Sequence, residues 1–186
     1  NFEKYTFTPT NAVQNGDTML TLSAAGGGVG GLVYGSKSYG TSAVKGNGVL
    51  MDGAAAPVDT LTGGYGASAE SNRVELKDGT AHVVYGGDAT TGDAIKNIVT
   101  ITGGTVTDNI YGGQSRAGAA SGNIVDIGAV HIQNGIADKA VVSGYAAVTD
   151  HNTIHLRGTE IDGIVLGGAI KDTASPLGMK ANPDGK

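Results

Sequence analysis

The histidines are the first residues whose type and spacing suggest chemistry. The chain of 186 residues has four of them, and two belong to the segment HNTIH, at His151 and His155. Two histidines four residues apart on a helix can bind one metal ion together. On a strand the same spacing separates them by about 13 Å, which is too far for one ion. The sequence therefore predicts no metal site at its histidines, which are His82, His131, His151 and His155.

Carboxylates are the second candidates, because hydrolysis of a glycosidic bond needs two carboxyl groups about 5–10 Å apart. Glu75 and Asp126 occupy equivalent positions of an internal repeat, and Thr100 holds that position in the copy between them. If equivalent residues stack at the spacing of neighbouring strands, about 10 Å separates the two carboxylates. His155 follows at the same position, so these side chains share one outward face. The pattern is typical of a solvated face, and the sequence predicts no catalytic residue.

Composition excludes several further classes of function. The chain has no cysteine, which excludes disulfides, thiol catalysis and cysteine-type zinc sites, and it has no GxSxG motif. It carries 12 Lys and Arg against 17 Asp and Glu, a net charge of −5 that disfavours nucleic acid as a partner. No apolar run approaches the ~20 residues of a membrane-spanning helix. Nothing in the sequence implies a cofactor.

An internal repeat provides the elements that must position any site. Six segments share a pattern in which Asn or Thr is followed by aliphatic residues two and four positions later, and they begin 29, 25, 25, 26 and 29 residues apart. Each is followed by an aliphatic residue or Tyr that runs into glycine, as in VYGGD and IYGGQ. The six segments are TMLTL (18–22), NGVLM (47–51), NRVEL (72–76), NIVTI (97–101), NIVDI (123–127) and NTIHL (152–156).

The period of two within each segment predicts a strand with one buried face. In NIVTI, Asn97, Val99 and Ile101 point one way and Ile98 and Thr100 the other. A strand of ~5 residues cannot bury its apolar face alone, so copies of the repeat must stack. With Gly and Asn at the corners, a unit near 25 residues is typical of one coil of a parallel β-helix. The sequence therefore predicts an all-β solenoid of about six coils over residues 17–172.

Two further columns follow from the stacking. The recurring asparagines precede the buried aliphatics, and stacked amides can satisfy one another by hydrogen bonds, as in side-chain ladders. We expect this column to be structural: Asn47, Asn72, Asn97, Asn123 and Asn152. The pattern leaves two orientations open for the tyrosines before glycine, Tyr34, Tyr85 and Tyr111. They form either a stacked core column or an exposed stripe.

The two ends differ from the repeats. Residues 1–16 contain both phenylalanines, Phe2 and Phe7, and are predicted to cap the open end of the stack. Residues 173–186 lose the pattern and are predicted to be a linker or cap. Insertions at 36–46, 54–60 and 134–139 are the loops in which specificity is expected.

The blocks NIVTITGGTVTDNIYGGQS and NRVELKDGTAHVVYGGD resemble the passenger repeats of bacterial autotransporters, the type V secreted surface proteins. The similarity covers roughly residues 18–170. It implies a right-handed parallel β-helix at the bacterial cell surface or secreted from the cell. In that family a signal peptide and an outer-membrane barrel flank the passenger; neither is recognisable here, so we expect a piece of a longer protein.

The resemblance implies a non-enzymatic module for adhesion, aggregation or host interaction. The expected partner is a host-cell protein or glycan, or another copy of the chain. The ligand-binding residues are not assigned by the sequence. The alternative is a carbohydrate-active β-helix enzyme, either a polysaccharide lyase or a glycan hydrolase similar to a phage tailspike. A column of carboxylates on neighbouring coils would favour the enzyme.

Overall fold

The computed structural model describes residues 5–8, 19–23, 30–53, 56–128, 131–132, 140–171 and 179–182. These residues form strands and no helix. In chain order the strands are β1 (Tyr5–Thr8), β2 (Met19–Ser23), β3 (Leu32–Lys37), β4 (Val44–Lys45), β5 (Gly48–Asp52), β6 (Val58–Gly66), β7 (Ala69–Glu70), β8 (Arg73–Asp78), β9 (Thr80–Ala89), β10 (Ala94–Ile95), β11 (Ile98–Ile101), β12 (Thr105–Val106), β13 (Ile110–Ser115), β14 (Ala119–Ser121), β15 (Ile124–Gly128), β16 (His131–Ile132), β17 (Ala140–Tyr145), β18 (Val148–Asp150), β19 (Thr153–Arg157), β20 (Glu160–Ile161), β21 (Ile164–Lys171) and β22 (Met179–Ala181).

The strands of successive coils stack into three main sheets. Within the described residues, sheet 1 has the order β1-β2-β5-β8-β11-β15-β19. Sheet 2 has the order β22-β21-β17-β13-β9-β6-β3, and the short strand β12 also pairs with β9. Sheet 3 has the order β18-β14-β10-β7-β4, and β16 pairs with β20. Pairing between coils is parallel throughout, which makes a β-solenoid of about five turns. The predicted all-β parallel solenoid is confirmed, with about five turns where the repeat predicted about six coils.

The core lies inside the coils, where the aliphatic residues of the repeat meet. Val99 lies in register with Val74 of the preceding coil and Val125 of the next, and all three are fully buried. Ile101 is buried in the same way. The inward orientation predicted from the period of two is therefore confirmed.

The asparagines form a hydrogen-bonded ladder along one corner of the core. Asn72, Asn97 and Asn123 are fully buried. The Nδ2 of each donates to Oδ1 of the next ladder asparagine at 2.9–3.1 Å and also to a backbone carbonyl of sheet 3. Each backbone N–H donates to the same Oδ1 at 3.0 Å. Because the column and the adjacent carbonyls of sheet 3 together satisfy these buried amides, the predicted structural role is confirmed.

The residue before each ladder asparagine makes the corner. Every one of them has a left-handed backbone, a conformation that costs side chains about 1 kcal/mol and glycine almost nothing. Only two of the five are glycine, so the hydrogen bonds of the ladder hold the other three in place. Their φ values are 67° at Gly46, 55° at Ser71, 56° at Lys96, 63° at Gly122 and 50° at His151.

The second glycine of the YGG motifs packs against this ladder. A Cβ atom on Gly87 would lie 2.5 Å from Cγ and Oδ1 of Asn97, and one on Gly113 would lie 2.4 Å from Oδ1 of Asn123. Distances this short exclude any side chain. The two sequence signatures of the repeat are therefore explained by one contact, in which the second glycine of the Gly-Gly pair packs against the ladder asparagine.

An antiparallel strand lies at each end of the stack. Strand β1 pairs antiparallel with β2, and β22 pairs antiparallel with β21. Beyond these strands, the predicted caps at 1–16 and 173–186 fall largely outside the described residues, as do the Phe2 and Phe7 side chains and the insertion at 134–139. At the last coil, Leu156 of sheet 1 and Val165 of sheet 2 occupy core positions but are 44% and 41% exposed. No described strand stacks beyond β19 on sheet 1, and on sheet 2 strand β22 pairs only with the end of β21, at Ala169, Ile170 and Lys171.

Candidate functional site

The predicted outward column of sheet 1 exists, but it does not bring its carboxylates together. Glu75, Thr100, Asp126 and His155 lie in register on successive strands, so Thr100 separates the two acidic residues. Asp126 forms an ion pair with Arg157, with 2.8 Å between Nη2 and Oδ1. The column holds no adjacent pair of carboxyl groups of the kind that a glycosidase needs.

The histidines are also kept apart by the fold. His151 lies at a corner beside the Asp150 carboxylate (2.6 Å), whereas His155 lies exposed within β19. His82 Nδ1 is 2.6 Å from the Thr107 hydroxyl. The side chain of His131 is outside the described residues. Among the residues that the structure describes, no group of three His, Cys, Asp or Glu is placed to hold a metal ion.

The outward side of sheet 2 carries a surface that we call the tyrosine face, defined as Tyr34, Tyr65, Tyr85, Tyr111 and Tyr145 together with Tyr39, which follows β3. Two neighbouring columns of side chains build its main part. The first runs Tyr34, Thr62, Tyr85, Tyr111 and Val142, and the second runs Lys37, Tyr65, Asp88, Gln114 and Tyr145.

The rings of the tyrosine face pack on one another outside the solenoid core. Tyr85 and Tyr111 stack with centroids 4.9 Å apart and planes 6° apart. Tyr111 also contacts Tyr145 at 5.8 Å, and Tyr34 contacts Tyr65 edge-on at 5.8 Å. Tyr111 is only 6% exposed, although its neighbour Ile110 is the residue that enters the core. Tyr85, Tyr111 and Tyr145 thus belong to a second apolar cluster, separate from the core column that the sequence offered as one alternative, and Tyr34 packs with Tyr65 beside it.

Lys37 lies among the rings at one end of this face. Its Nζ is 4.3 Å from the ring centroid of Tyr34, 4.8 Å from that of Tyr39 and 5.0 Å from that of Tyr65. Hydrogen bonding to the Tyr39 hydroxyl raises the pKa of Lys37. The lysine is therefore a cation held over aromatic faces.

Asp88 and Arg116 form an ion pair next to Tyr65. Nη2 of Arg116 lies 3.0 Å from Oδ2 of Asp88, and the guanidinium lies 5.7 Å from the Tyr65 ring centroid. Asp88 is 6% exposed, and its Oδ1 has no hydrogen-bond partner among the described residues. Burial raises the pKa of Asp88 to about 6, although Arg116 acts in the opposite direction. Burial, followed by the charge of Asp88, raises the pKa of Tyr85 to about 12.

A cavity of about 370 Å³ lies elsewhere, at the end of the stack. Its lining includes Asn152, Leu166, Gly168 and Asn182. Nδ2 of Asn182 donates to the Thr149 carbonyl at 3.2 Å, just as the ladder asparagines donate to sheet 3. Asn182 therefore repeats the ladder's bond to sheet 3, and the cavity is a feature of the stack's end rather than of the tyrosine face.

Sequence reasoning named Tyr34, Tyr85 and Tyr111 but missed the second column of the face. Its signal is the position directly after the second glycine of the YGG motifs, which holds Asp88 and Gln114, and after Gly144 of VSGY, which holds Tyr145. The sequence gives no sign that Arg116, which follows β13, folds back onto Asp88. Chemically, the face offers aromatic rings, two cations and one carboxyl already paired, which suits binding better than acid–base catalysis.

Comparison with family profiles, with curated proteins and with solved structures gives no match. The part of the chain that the structure describes also contains no helix with the length and apolar character needed to cross a bilayer.

Proposed function

We propose that the chain is a non-enzymatic β-solenoid module of a bacterial cell-surface or secreted protein, acting in adhesion, aggregation or host interaction. The observation that carries the proposal is the tyrosine face, an aromatic surface on the outside of a rigid stack. The resemblance of the repeats to autotransporter passengers supports the location. The partner is a host-cell protein or glycan, or a second copy of the chain.

The mechanism is geometric. Successive strands hold equivalent side chains about 4.8 Å apart, so the face presents an ordered array to an extended or repetitive partner. Tyrosine suits such contacts because its ring is large and apolar, its hydroxyl forms hydrogen bonds, and few rotatable bonds are frozen on binding. The rings are already packed on one another, which lowers the entropy lost when a partner binds.

The test is binding of the fluorescently labelled protein to epithelial cells and to itself. Replacing both Tyr39 and Tyr65 by Ala should abolish binding, whereas Glu75→Ala, on the outward face of sheet 1, should leave it unchanged. Both proteins should keep the circular dichroism of the wild type. Equal binding by all three proteins would contradict the role of the tyrosine face, and self-association without cell binding would identify the partner as another copy.

One observation favours the carbohydrate-active alternative. Asp88 is a buried carboxyl with a pKa of about 6, a value suited to a general acid near neutral pH. Incubation with pectate, alginate and hyaluronate tests it directly. Release of reducing or unsaturated ends by the wild type, lost in Asp88→Asn, would replace the binding proposal with an enzymatic one.

A further inference from the structure

We infer that the cationic end of the tyrosine face, formed by Tyr34, Lys37, Tyr39, Tyr65, Asp88 and Arg116, binds a carboxylate-bearing sugar of an acidic glycan. The inference rests on the proposed function and names the ligand class for the same face.

The charge of this cluster favours an anion. Lys37 and Arg116 supply two positive charges around Tyr65, and Asp88 supplies one negative charge. The cluster therefore carries a net charge of about +1 on a chain whose net charge is −5. Because Debye screening limits the reach of charges to about 8–10 Å, the local sign decides what the cluster attracts.

Lys37 differs from Lys45 and Arg157, two cations of the other faces, in what surrounds it. Lys45 of sheet 3 is bound to the Glu70 carboxylate at 2.9 Å, and Arg157 of sheet 1 is bound to Asp126. Lys37 instead contacts three phenol rings and, within the described residues, forms no ion pair with a carboxylate. Its charge remains available to a ligand carboxylate.

The cluster is also preorganised. Asp88 is buried and holds the Arg116 guanidinium at 3.0 Å, and Nη1 of Arg116 lies 3.4 Å from the Tyr65 hydroxyl. The Arg116 guanidinium is thus held beside Tyr65 before a ligand arrives, which reduces the entropy lost on binding.

The rings favour a sugar over an acidic peptide. Tyr39 is 84% exposed, so its ring is open to a flat apolar surface. A pyranose ring offers such a surface in its axial C–H groups, while its hydroxyls can exchange hydrogen bonds with the phenol groups. A carboxylate on the same ring would then reach the ammonium of Lys37. A flexible acidic peptide has the charge but lacks the rigid C–H face.

The experiment compares each acidic sugar with its own neutral methyl ester. Isothermal titration calorimetry with trigalacturonic acid and its methyl ester, and with 3′-sialyllactose and its methyl ester, should show at least one acid binding about ten-fold tighter than its neutral counterpart, the effect of one charge-assisted hydrogen bond. The preference should shrink as salt is raised.

Two variants and one control locate the site. Lys37→Met keeps the aliphatic stem and should remove the preference for the acid, and Tyr39→Ala should weaken binding of both members of the pair. Lys45→Met, an exposed lysine of sheet 3, should bind as the wild type does.

Three results would overturn the inference: equal binding of acid and neutral counterpart, no binding of any of the four sugars, or equally tight binding of an oligoglutamate peptide. The cell-binding assay with the Tyr39 and Tyr65 variant is independent of these sugars, so the proposed function can survive the failure of this inference.

Discussion

Asn72 donates a hydrogen bond from its Nδ2 to Oδ1 of Asn97, 3.1 Å away, although 25 residues separate the two along the chain. The backbone N–H of Asn72 donates to the same oxygen at 3.0 Å. One buried oxygen thus satisfies two donors of the preceding coil, and the arrangement recurs between Asn97 and Asn123. The ladder couples neighbouring coils through polar groups as well as through the apolar core.

Removing one rung should destabilise the central coils. Asn97→Ala leaves the two buried donors of Asn72 without an acceptor, and we expect the free energy of unfolding to fall by roughly 3 kcal/mol. Asn47, at the half-buried start of the ladder, provides the control, because its Nδ2 donates to the exposed Lys45 carbonyl. Urea denaturation should show a smaller loss for Asn47→Ala. Equal losses of unfolding free energy in Asn97→Ala and Asn47→Ala would contradict the claim that the buried asparagines stabilise the protein more than the half-buried one.

A charged side chain inside the core should lower the free energy of unfolding far more than one on the outer side of the same strand. Val99→Asp buries a carboxylate with no partner among the stacked aliphatics, and we expect a loss of about 4 kcal/mol or more, with collapse of the central coils. The adjacent residue Ile98 is 39% exposed on the opposite side of the strand, so Ile98→Asp should cost about 1 kcal/mol or less. An unchanged melting temperature for Val99→Asp would refute the inward orientation.

The contact between glycine and the ladder predicts an unusual sensitivity to one methyl group. In Gly87→Ala, the new Cβ would lie 2.5 Å from Asn97 Cγ, so the amide must move and lose its hydrogen bonds. We expect a loss of about 2–3 kcal/mol in chemical denaturation. Gly167→Ala is the matched control, because nothing lies within 4 Å of its Cβ position. A Gly87→Ala protein as stable as that control would exclude the close packing.

Asp88 should make the protein less stable as pH rises from about 4 to 6. The ordinary pKa of 3.8 applies to the unfolded chain, whereas burial raises the pKa in the folded protein to about 6. In this window the folded state binds more protons than the unfolded state, so stability falls with pH and levels off above about 6. Relative to Asp88→Asn, the wild type should lose up to about 3 kcal/mol over the window.

Denaturation at pH 4, 5, 6 and 7 measures this difference. Arg116 lowers the pKa of Asp88, so Arg116→Gln should extend the falling part of the curve above pH 6. A constant difference between wild type and Asp88→Asn at all four pH values would show that Asp88 is not perturbed by burial.

The repeat alone allowed the stacking, the buried aliphatics and the asparagine ladder to be predicted, because each follows from strict alternation at a period near 25 residues. The corners at Ser71, Lys96 and His151 were not predictable, since their left-handed backbone is imposed by the ladder and not by the residue type.

The candidate site was only partly predictable for a similar reason. Tyr85 and Tyr111 are visible in the YGG motifs, but the motif alone does not determine which side of the sheet they face. The approach of Arg116 to Asp88 spans 28 residues and depends on how the chain leaves β13, which no local pattern encodes.

Cross-linking tests most directly the central claim, which is that side chains one repeat apart are neighbours. The chain has no cysteine, so introduced pairs are the only thiols. Glu75→Cys with Thr100→Cys, and Thr100→Cys with Asp126→Cys, place thiols on adjacent strands about 4.8 Å apart, within reach of a disulfide. Glu75→Cys with Asp126→Cys places them about 10 Å apart. Mass spectrometry after mild oxidation should show bridges in the first two proteins and none in the third; a bridge in the third, or none in the first two, would contradict the stacking on which the ladder and the tyrosine face depend.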